Sequence, residues 1–304
     1  MLFEGLWESF MRINAYIMLS EWRWVKASLA SYYPFVERIV ISYEENGRGF
    51  SGVPIDVERC LDSIKDCDPQ KKFDFAPGSY YDANRDPMQS DTYQRQNALE
   101  RAQNDADWVV QLDTDEVMCD AGEFFSCLQE ADSKGFSALD YPARWFHYAL
   151  GDFRYLERSA RPWKLRATYP GPIAVRPNVE LKVARQCDMP SFRVDFKSRS
   201  TDFSQPAAPV HRVVRPDQAI FHYSRVRSEE EMRYKARSSS HSHDMNWDPV
   251  VEHWLWEGRN PHLAALVSVL PRRFVHGDHQ PLRVASAIPP PALRDLVRQA
   301  ESTV

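Results

Sequence analysis

The sequence predicts an α/β protein built on a mostly parallel sheet, and three observations carry that prediction. Strand-like and helix-like runs alternate from Asn14 onward, which is the pattern of β-α-β units. The run from Trp108 to Leu112 is largely apolar and β-branched, as suits a strand buried on both faces. It then changes abruptly into Asp113, Asp115 and Glu116. Ligands in open α/β sheets sit just beyond the carboxyl ends of strands. Buried carboxylates must also find water, cations or a metal.

The elements follow in order. Asn14 to Ser20 reads as a first strand, with Ser20 and Glu21 at its end. Helical spacing follows, with Trp24 and Leu29 toward one face, and Pro34 closes it. Val36 to Tyr43 reads as a second strand, ended by a turn at Glu44, Glu45, Asn46 and Gly47. A parallel pair with a right-handed connection is expected. Ile55 to Cys67 reads as a helix and Lys71 to Pro77 as a third strand. A polar loop spans Gly78 to Gln89. Ser90 or Asp91 is expected to cap the next helix, which carries Arg95 and Asn97. The acidic-ended strand comes next, followed by a helix from Gly122 to Ser133 and a strand from Ser137 to Phe146. His147 to Tyr155 reads as an aromatic turn. Residues 176–214 suggest only short strands and loops. Gln218 to Ser228 returns to a strand, and helices follow, with one last helix in the tail.

Composition narrows the function. The chain has 304 residues, 43% hydrophobic, which suffices for one large domain or a domain with an extension. Boundaries are expected at 1–225 for a catalytic domain and 226–304 for a helical extension. The net charge is −5 and the basic residues are dispersed, which argues against nucleic acid as a partner. The five cysteines, Cys60, Cys67, Cys119, Cys127 and Cys187, include no Cys-x-x-Cys pair. A reducing cytoplasm is therefore expected. No run reaches the ~18 apolar residues of a membrane span. A G-x-G-x-x-G fingerprint is absent, which sets a dinucleotide fold aside.

Taken together, Tyr16 to Trp22, Arg38 to Gly47, Tyr93 to Ala102 and Asp107 to Met118 resemble a family 2 glycosyltransferase of the GT-A fold. The segment from Ile220 to Asp244 resembles the C-terminal part of bacterial relatives. Two departures stand out: Tyr43-Glu44 replaces the usual Asp-Asp, and Arg95 and Asn97 are separated by Gln96. The Gln-x-x-Arg-Trp signature of processive synthases is missing. The resemblance implies inverting transfer of a sugar from a UDP-, GDP- or dTDP-sugar to an acceptor hydroxyl, such as that of a saccharide. It implies Mn²⁺ or Mg²⁺ held by Asp113, Asp115 and His222, bridging the diphosphate. Ser20, Glu21, Glu44, Arg95, Asn97 and Asp113 would line the nucleotide. Apart from the resemblance, the Ser-Ser-Ser-His-Ser-His run gives Lys235 to Asp244 little apolar anchoring, so it reads as a lid over the diphosphate; His241 and His243 could instead form a metal pair.

The acceptor base is not fixed by the sequence. Glu180, Asp152 and Asp188 are the candidates, in that order, each with the alternative of an ordinary surface carboxylate. Trp145, Phe146, Tyr148 and Trp163 could stack on a sugar or simply pack in the core. Glu21 could equally be a charge at a helix start, and His222 a packed histidine. Two other functions compete. The run from Val109 to Val117 also resembles the first motif of haloacid-dehalogenase-like phosphatases, although that motif normally opens the fold. A non-catalytic sugar-nucleotide-binding module is the other. A nucleotidylyltransferase would show a Gly-rich N-terminal loop, which is missing.

Overall fold

The computed structural model describes residues 11–161, 164–196, 209–268, 270 and 281–302. Its main sheet begins with β1 (Ile13–Met18), β2 (Ile39–Glu44), β3 (Phe73–Gly78) and β4 (Trp108–Gln111). These four pair in parallel, with β1 between β2 and β4 and with β3 beyond β2. On the other side of β4 lie β10 (Ala174–Val175), β6 (Ala138–Asp140), β11 (Ser191–Phe196) and β12 (Arg212–Val214). The two-residue β10 runs antiparallel to both of its neighbours, β4 and β6.

Alternation along the strands explains why helices cover both faces. Ile13, Ala15 and Ile17 of β1, with Ile39 and Ile41 of β2, pack against α1 (Val25–Tyr32), α2 (Val57–Ile64) and α4 (Ala121–Ser133). The intervening Tyr16, Met18 and Val40 meet Ala98, Leu99 and Ala102 of α3 (Pro87–Ala102) on the opposite face. The mostly parallel α/β sheet read from the sequence is therefore present, flanked by helices. Helix α3 starts earlier than expected. Asp86 caps it through a reciprocal box with Gln89, and Pro87 opens its first turn. Ser90 and Asp91 lie buried inside the helix.

A second sheet was not foreseen. Its order is β14 (Leu282–Ser286), β8 (Arg154–Arg161), β7 (Ala143–Ala149), β13 (Ile220–His222) and β5 (Glu116–Met118), with β9 (Lys164–Leu165) paired to β8. The expected aromatic turn is the end of the β7–β8 hairpin, with positive φ at Gly151, Asp152 and Phe153. Strand β14 comes from the C-terminal region and pairs with β8, so a strand crosses the expected boundary at residue 225. The C-terminal region is otherwise helical, with α5 (Glu229–Ser238), α6 (Asp248–Arg259), α7 (Pro261–Val267) and α8 (Arg294–Glu301). No described helix is long and apolar enough to cross a membrane. One face of the second sheet, with Val117, Phe146, Tyr155 and Phe221, is covered by Leu293, Val297 and Ala300.

The other face meets α6 through a buried polar cluster. His147 is 1% exposed, its Nδ1 lies 3.8 Å from Glu257 Oε2, and His253 Nε2 lies 3.2 Å from Glu257 Oε1. Burial, reinforced by Arg225, pushes the His147 imidazole down to about 4 from 6.5. Burial would raise Glu257, but the neighbouring His147 and His253 rings outweigh it and hold the carboxyl at about 2. Between pH 6.5 and about 4 the unfolded chain therefore binds a proton at His147 that the folded chain refuses. Stability is full above about pH 6.5 and is lost as pH falls toward 4. We expect thermal melts to show a steeper loss between pH 6.5 and 5 in the wild type than in His147→Gln. Parallel profiles would refute this account.

Candidate active site

The acidic turn is the joint between the two sheets. Strand β4 of the main sheet ends at Gln111, and β5 of the second sheet starts at Glu116. Asp113, Thr114 and Asp115 make the crossing. Local hydrogen bonds close the turn. Glu116 N–H donates to the Asp113 carbonyl at 3.1 Å, and Asp113 N–H donates to Glu116 Oε2 at 3.0 Å. Ser28 Oγ donates to the Asp113 carbonyl at 3.1 Å, and Thr114 Oγ1 donates to Glu21 at 3.1 Å. Register then brings in a third strand. Strand β13 pairs His222 opposite Glu116 and beside Trp145 of β7. Tyr223 N–H donates to the Asp115 carbonyl at 2.8 Å.

Each carboxylate of the turn has a different environment. Asp115 is 3% exposed and faces three basic side chains. His222 Nε2 is 3.2 Å from Oδ1, while an Arg227 guanidinium nitrogen and Lys235 Nζ each stand 2.8 Å from Oδ2. Burial would raise its pKa, yet Lys235, His222 and Arg227 hold the carboxyl well below the usual range. The Asp113 side chain is 28% exposed and pairs with Arg95 at 2.8 Å. Burial again opposes ionisation there, and Arg95 with Arg185 overcomes it, lowering the carboxyl. Glu116 is fully buried and takes Arg185 in a two-pronged pair at 2.7 and 2.5 Å. Arg185 also donates to the Gln111 carbonyl at 2.9 Å. Its side chain lies over Gly171, where an added Cβ would come within 2.8 Å of Arg185 Cγ.

The turn therefore draws on distant parts of the chain. Arg95 is locked to Asp91 at 2.6 Å on α3, Arg227 is paired to Glu21 as well as Asp115, and Lys235 sits on α5. That helix is capped by Ser228 and Glu231, and Glu231 pairs with Arg23 at 2.5 Å. Tyr234 donates to the Pro54 carbonyl, and Ser51 donates to the Arg237 carbonyl at 2.5 Å. Lys235 therefore stands on an anchored helix, not in the loop expected for a lid. Beyond the helix, His241 and His243 are exposed, beside Asp244 and Asp86 respectively.

The expected site residues fall into two groups. Glu21, Arg95, Asp113, Asp115, His222 and Lys235 converge on the turn. Glu44 is buried but spent on its own loops, accepting from Asn46 and from Tyr80 N–H and Tyr81 N–H. A nucleoside contact by that carboxylate would have to displace those donors. Asn97 donates to the Tyr93 carbonyl on its own helix, and Ser20 is exposed at the strand end. Glu180 is 76% exposed and pairs with Lys182. Asp152 and Asp188 are also exposed. No hydrogen bond or ion pair links these three to the turn among the described residues. Trp145 stacks on His222 at 4.6 Å and lies under Arg158 at 4.0 Å. Phe146 is core, Tyr148 packs on Trp254, and Trp163 lies outside the described residues. Sequence reasoning missed Arg185 and Arg227. The second had a signal, a basic residue just past a strand returning to an acidic turn. Arg185 had none.

No family model and no curated protein matches the chain. Partial similarity exists to several solved structures. One is 4-diphosphocytidyl-2C-methyl-D-erythritol synthase from Anaerococcus prevotii, with TM-score 0.33, 10% identity, 55% of this chain and 71% of that one. Another is a CMP:2-keto-3-deoxy-manno-octonic acid synthetase complexed with CTP, with TM-score 0.28, 10% identity, 55% of this chain and 72% of that one. A third is mannose-1-phosphate geranyltransferase from Thermus thermophilus, with TM-score 0.26, 11% identity, 55% of this chain and 51% of that one.

The turn is charge-balanced, not a cluster of repelling carboxylates, and this has a consequence for stability. Removing one partner of a buried ion pair typically costs ~3–5 kcal/mol. Asp115→Asn leaves Arg227 with Glu21 alone and His222 without its anion, while Lys235 can turn to water. We expect a loss of about 3 kcal/mol and a melting temperature roughly 5–10 °C lower without any ligand. A melting temperature within about 2 °C of wild type would refute the network as a stabilising element.

Proposed function

We propose that this chain is a nucleotide-sugar-dependent glycosyltransferase of the GT-A type, acting on a saccharide or other hydroxyl acceptor with inversion. One observation carries the reading. An Asp-x-Asp turn at the carboxyl end of a central parallel strand is built from residues 91–116 and faced by Lys235, Arg227 and His222. Asp113 keeps part of its side chain open to solvent, 28% exposed, and Lys235, on Asp115 two residues further along the turn, is 31% exposed. A nucleoside diphosphate needs this pairing of oxygen donors for a cation with basic groups for phosphate.

The donor set fits a hard divalent ion in part. Among the described residues no three His, Cys, Asp or Glu groups form a metal cage. Mg²⁺-like ions commonly take only one or two protein carboxylates and complete their shell with phosphates and water. Asp113 and Asp115 are the carboxylates at hand, but both oxygens of Asp115 already carry His222, Arg227 and Lys235, which an ion would have to displace. Bound there, Mn²⁺ or Mg²⁺ would add counter-charge to the diphosphate leaving group. Arg95 orients Asp113 by holding one oxygen. Glu116 and Arg185 fix the backbone of the turn. Lys235 is placed to neutralise charge growing on the leaving phosphate, where preorganised charge matters most. Ser20 and Glu21, at the end of β1, border the nucleotide side.

Thermal shift of the full chain with UDP, GDP and dTDP, each with and without Mn²⁺, tests this reading. One nucleotide should raise the melting temperature by about 5 °C at 100-fold excess over its dissociation constant, and more with the metal. Asp113→Asn should remove the metal-dependent part. A shift with small phosphorylated compounds and none with any nucleotide would favour the phosphatase instead. Binding without transfer to any acceptor would favour the binding module.

A further inference from the structure

The segment between β1 and α1 carries two charges, Glu21 and Arg23, and both reach the start of helix α5. Glu21 pairs with Arg227, which stands just before the cap of that helix. Arg23 takes Glu231 in a two-pronged pair, Nε to Oε1 at 2.9 Å and a terminal nitrogen to Oε2 at 2.5 Å. The signs are crossed, so exchanging partners would set Arg23 against Arg227 and Glu21 against Glu231. One register of α5 is thereby selected. Arg23 also donates to the Ala300 carbonyl at 2.8 Å, in the last turn of α8, where carbonyls lack helical partners. Its side chain is nearly fully buried, and a planar guanidinium tied to several acceptors keeps one orientation.

Glu231 is the joint. Its Oε2 accepts the Ser228 amide at 2.9 Å and the Ser228 hydroxyl at 3.0 Å. The capping box that starts α5 and the Arg23 pair therefore meet on one carboxylate. Burial opposes its ionisation, and Arg23 with the Ser228 amide outweighs burial and lowers the carboxyl. Lys235 lies four residues on, one turn along the same face of the helix. Its ammonium reaches Asp115 at 2.8 Å and is the most exposed of the three basic groups there. A rotation of α5 about its axis would swing that long stem away from the turn. We propose that Arg23 is a positioning residue: through Glu231 it aims Lys235 at the acidic turn, with the end of α8 as its fixed point. What Lys235 then meets, the phosphates of the donor, rests on the transferase reading.

The test is competitive labelling of the full chain with acetic anhydride, read by mass spectrometry at each lysine. Acylation requires the ammonium to leave its partner and give up a proton. Lys72, held by the Tyr33 and Val36 carbonyls at the amino end of β3, is the internal reference for general loosening. Arg23→Gln should raise the labelling rate of Lys235 several-fold and leave Lys72 unchanged. Glu231→Gln, which removes the ionic pair but keeps a side chain able to close the capping box, should do the same. Affinity for inorganic pyrophosphate, measured by calorimetry without metal, should fall about 10-fold in Lys235→Met and several-fold in the other two variants. Wild-type labelling of Lys235 in Glu231→Gln, or equal acceleration at Lys72, overturns the positioning role; if Lys235→Met still loses affinity, the transferase reading stands. Equal pyrophosphate affinity in Lys235→Met and wild type overturns Lys235 as the phosphate contact, and with it the purpose assigned to its aim.

Discussion

The buried carboxylate of Asp115 is the constraint on which the rest of this structure depends. An isolated ionised carboxylate in a low-dielectric site costs far more than a domain's net stability can offset. Here it lies at the point where the chain leaves one sheet and enters another. The three groups that neutralise it come from residues 222, 227 and 235, more than a hundred positions downstream. The junction is therefore completed only when β13 has paired with β5 and α5 has docked. Fold closure and site assembly are one event in this protein.

The supporting charges divide into buried and partly exposed. Arg185 on Glu116, Arg95 between Asp91 and Asp113, and Arg227 between Glu21 and Asp115 are all nearly excluded from solvent. Each guanidinium is tied to more than one acceptor, so its planar fork loses little freedom per bond. These braces fix where the carboxylates point. Among the groups of this network, Asp113 and Lys235 keep the most exposure, 28% and 31%.

Much of the first half was legible in the sequence because its periodicity and its chemistry agree. The parallel trio β1, β2 and β4, the helices α1 to α4 and the acidic end of β4 were all readable from apolar runs and turn residues. The second sheet was not. Its strands are short, polar on one face and scattered from residue 116 to residue 286, so no local pattern announces their pairing. Strand β14 hides in a proline-flanked tail. The cap of α3 was misplaced because Asp86-Pro87 lies within a stretch that reads as loop. Among site residues, His222 came from the resemblance and Lys235 from reading its segment as a lid. Arg185 sits in a loop whose sequence has no period, and only three-dimensional packing puts it under Glu116. Glu44 was read as a ligand contact because a carboxylate at a strand end looks the same whether it faces a substrate or a backbone. The exposed Glu180, Asp152 and Asp188 show the same limit, since position after a loop says nothing about where a side chain points.

Gly171 carries no functional group, yet it lies against the stem of Arg185, whose buried guanidinium secures the acidic turn. Its φ of +130° already disfavours other residues, and the neighbouring Arg185 stem leaves no room for a methyl group. A random mutational scan of this chain should therefore find an intolerant position with no chemistry of its own. Any side chain there would push on Arg185, and Arg185 would pass the displacement to Glu116 and through it to the Asp113 amide. Inheritance of the acidic turn in related chains would then be tied to inheritance of a glycine nearly sixty residues away in sequence.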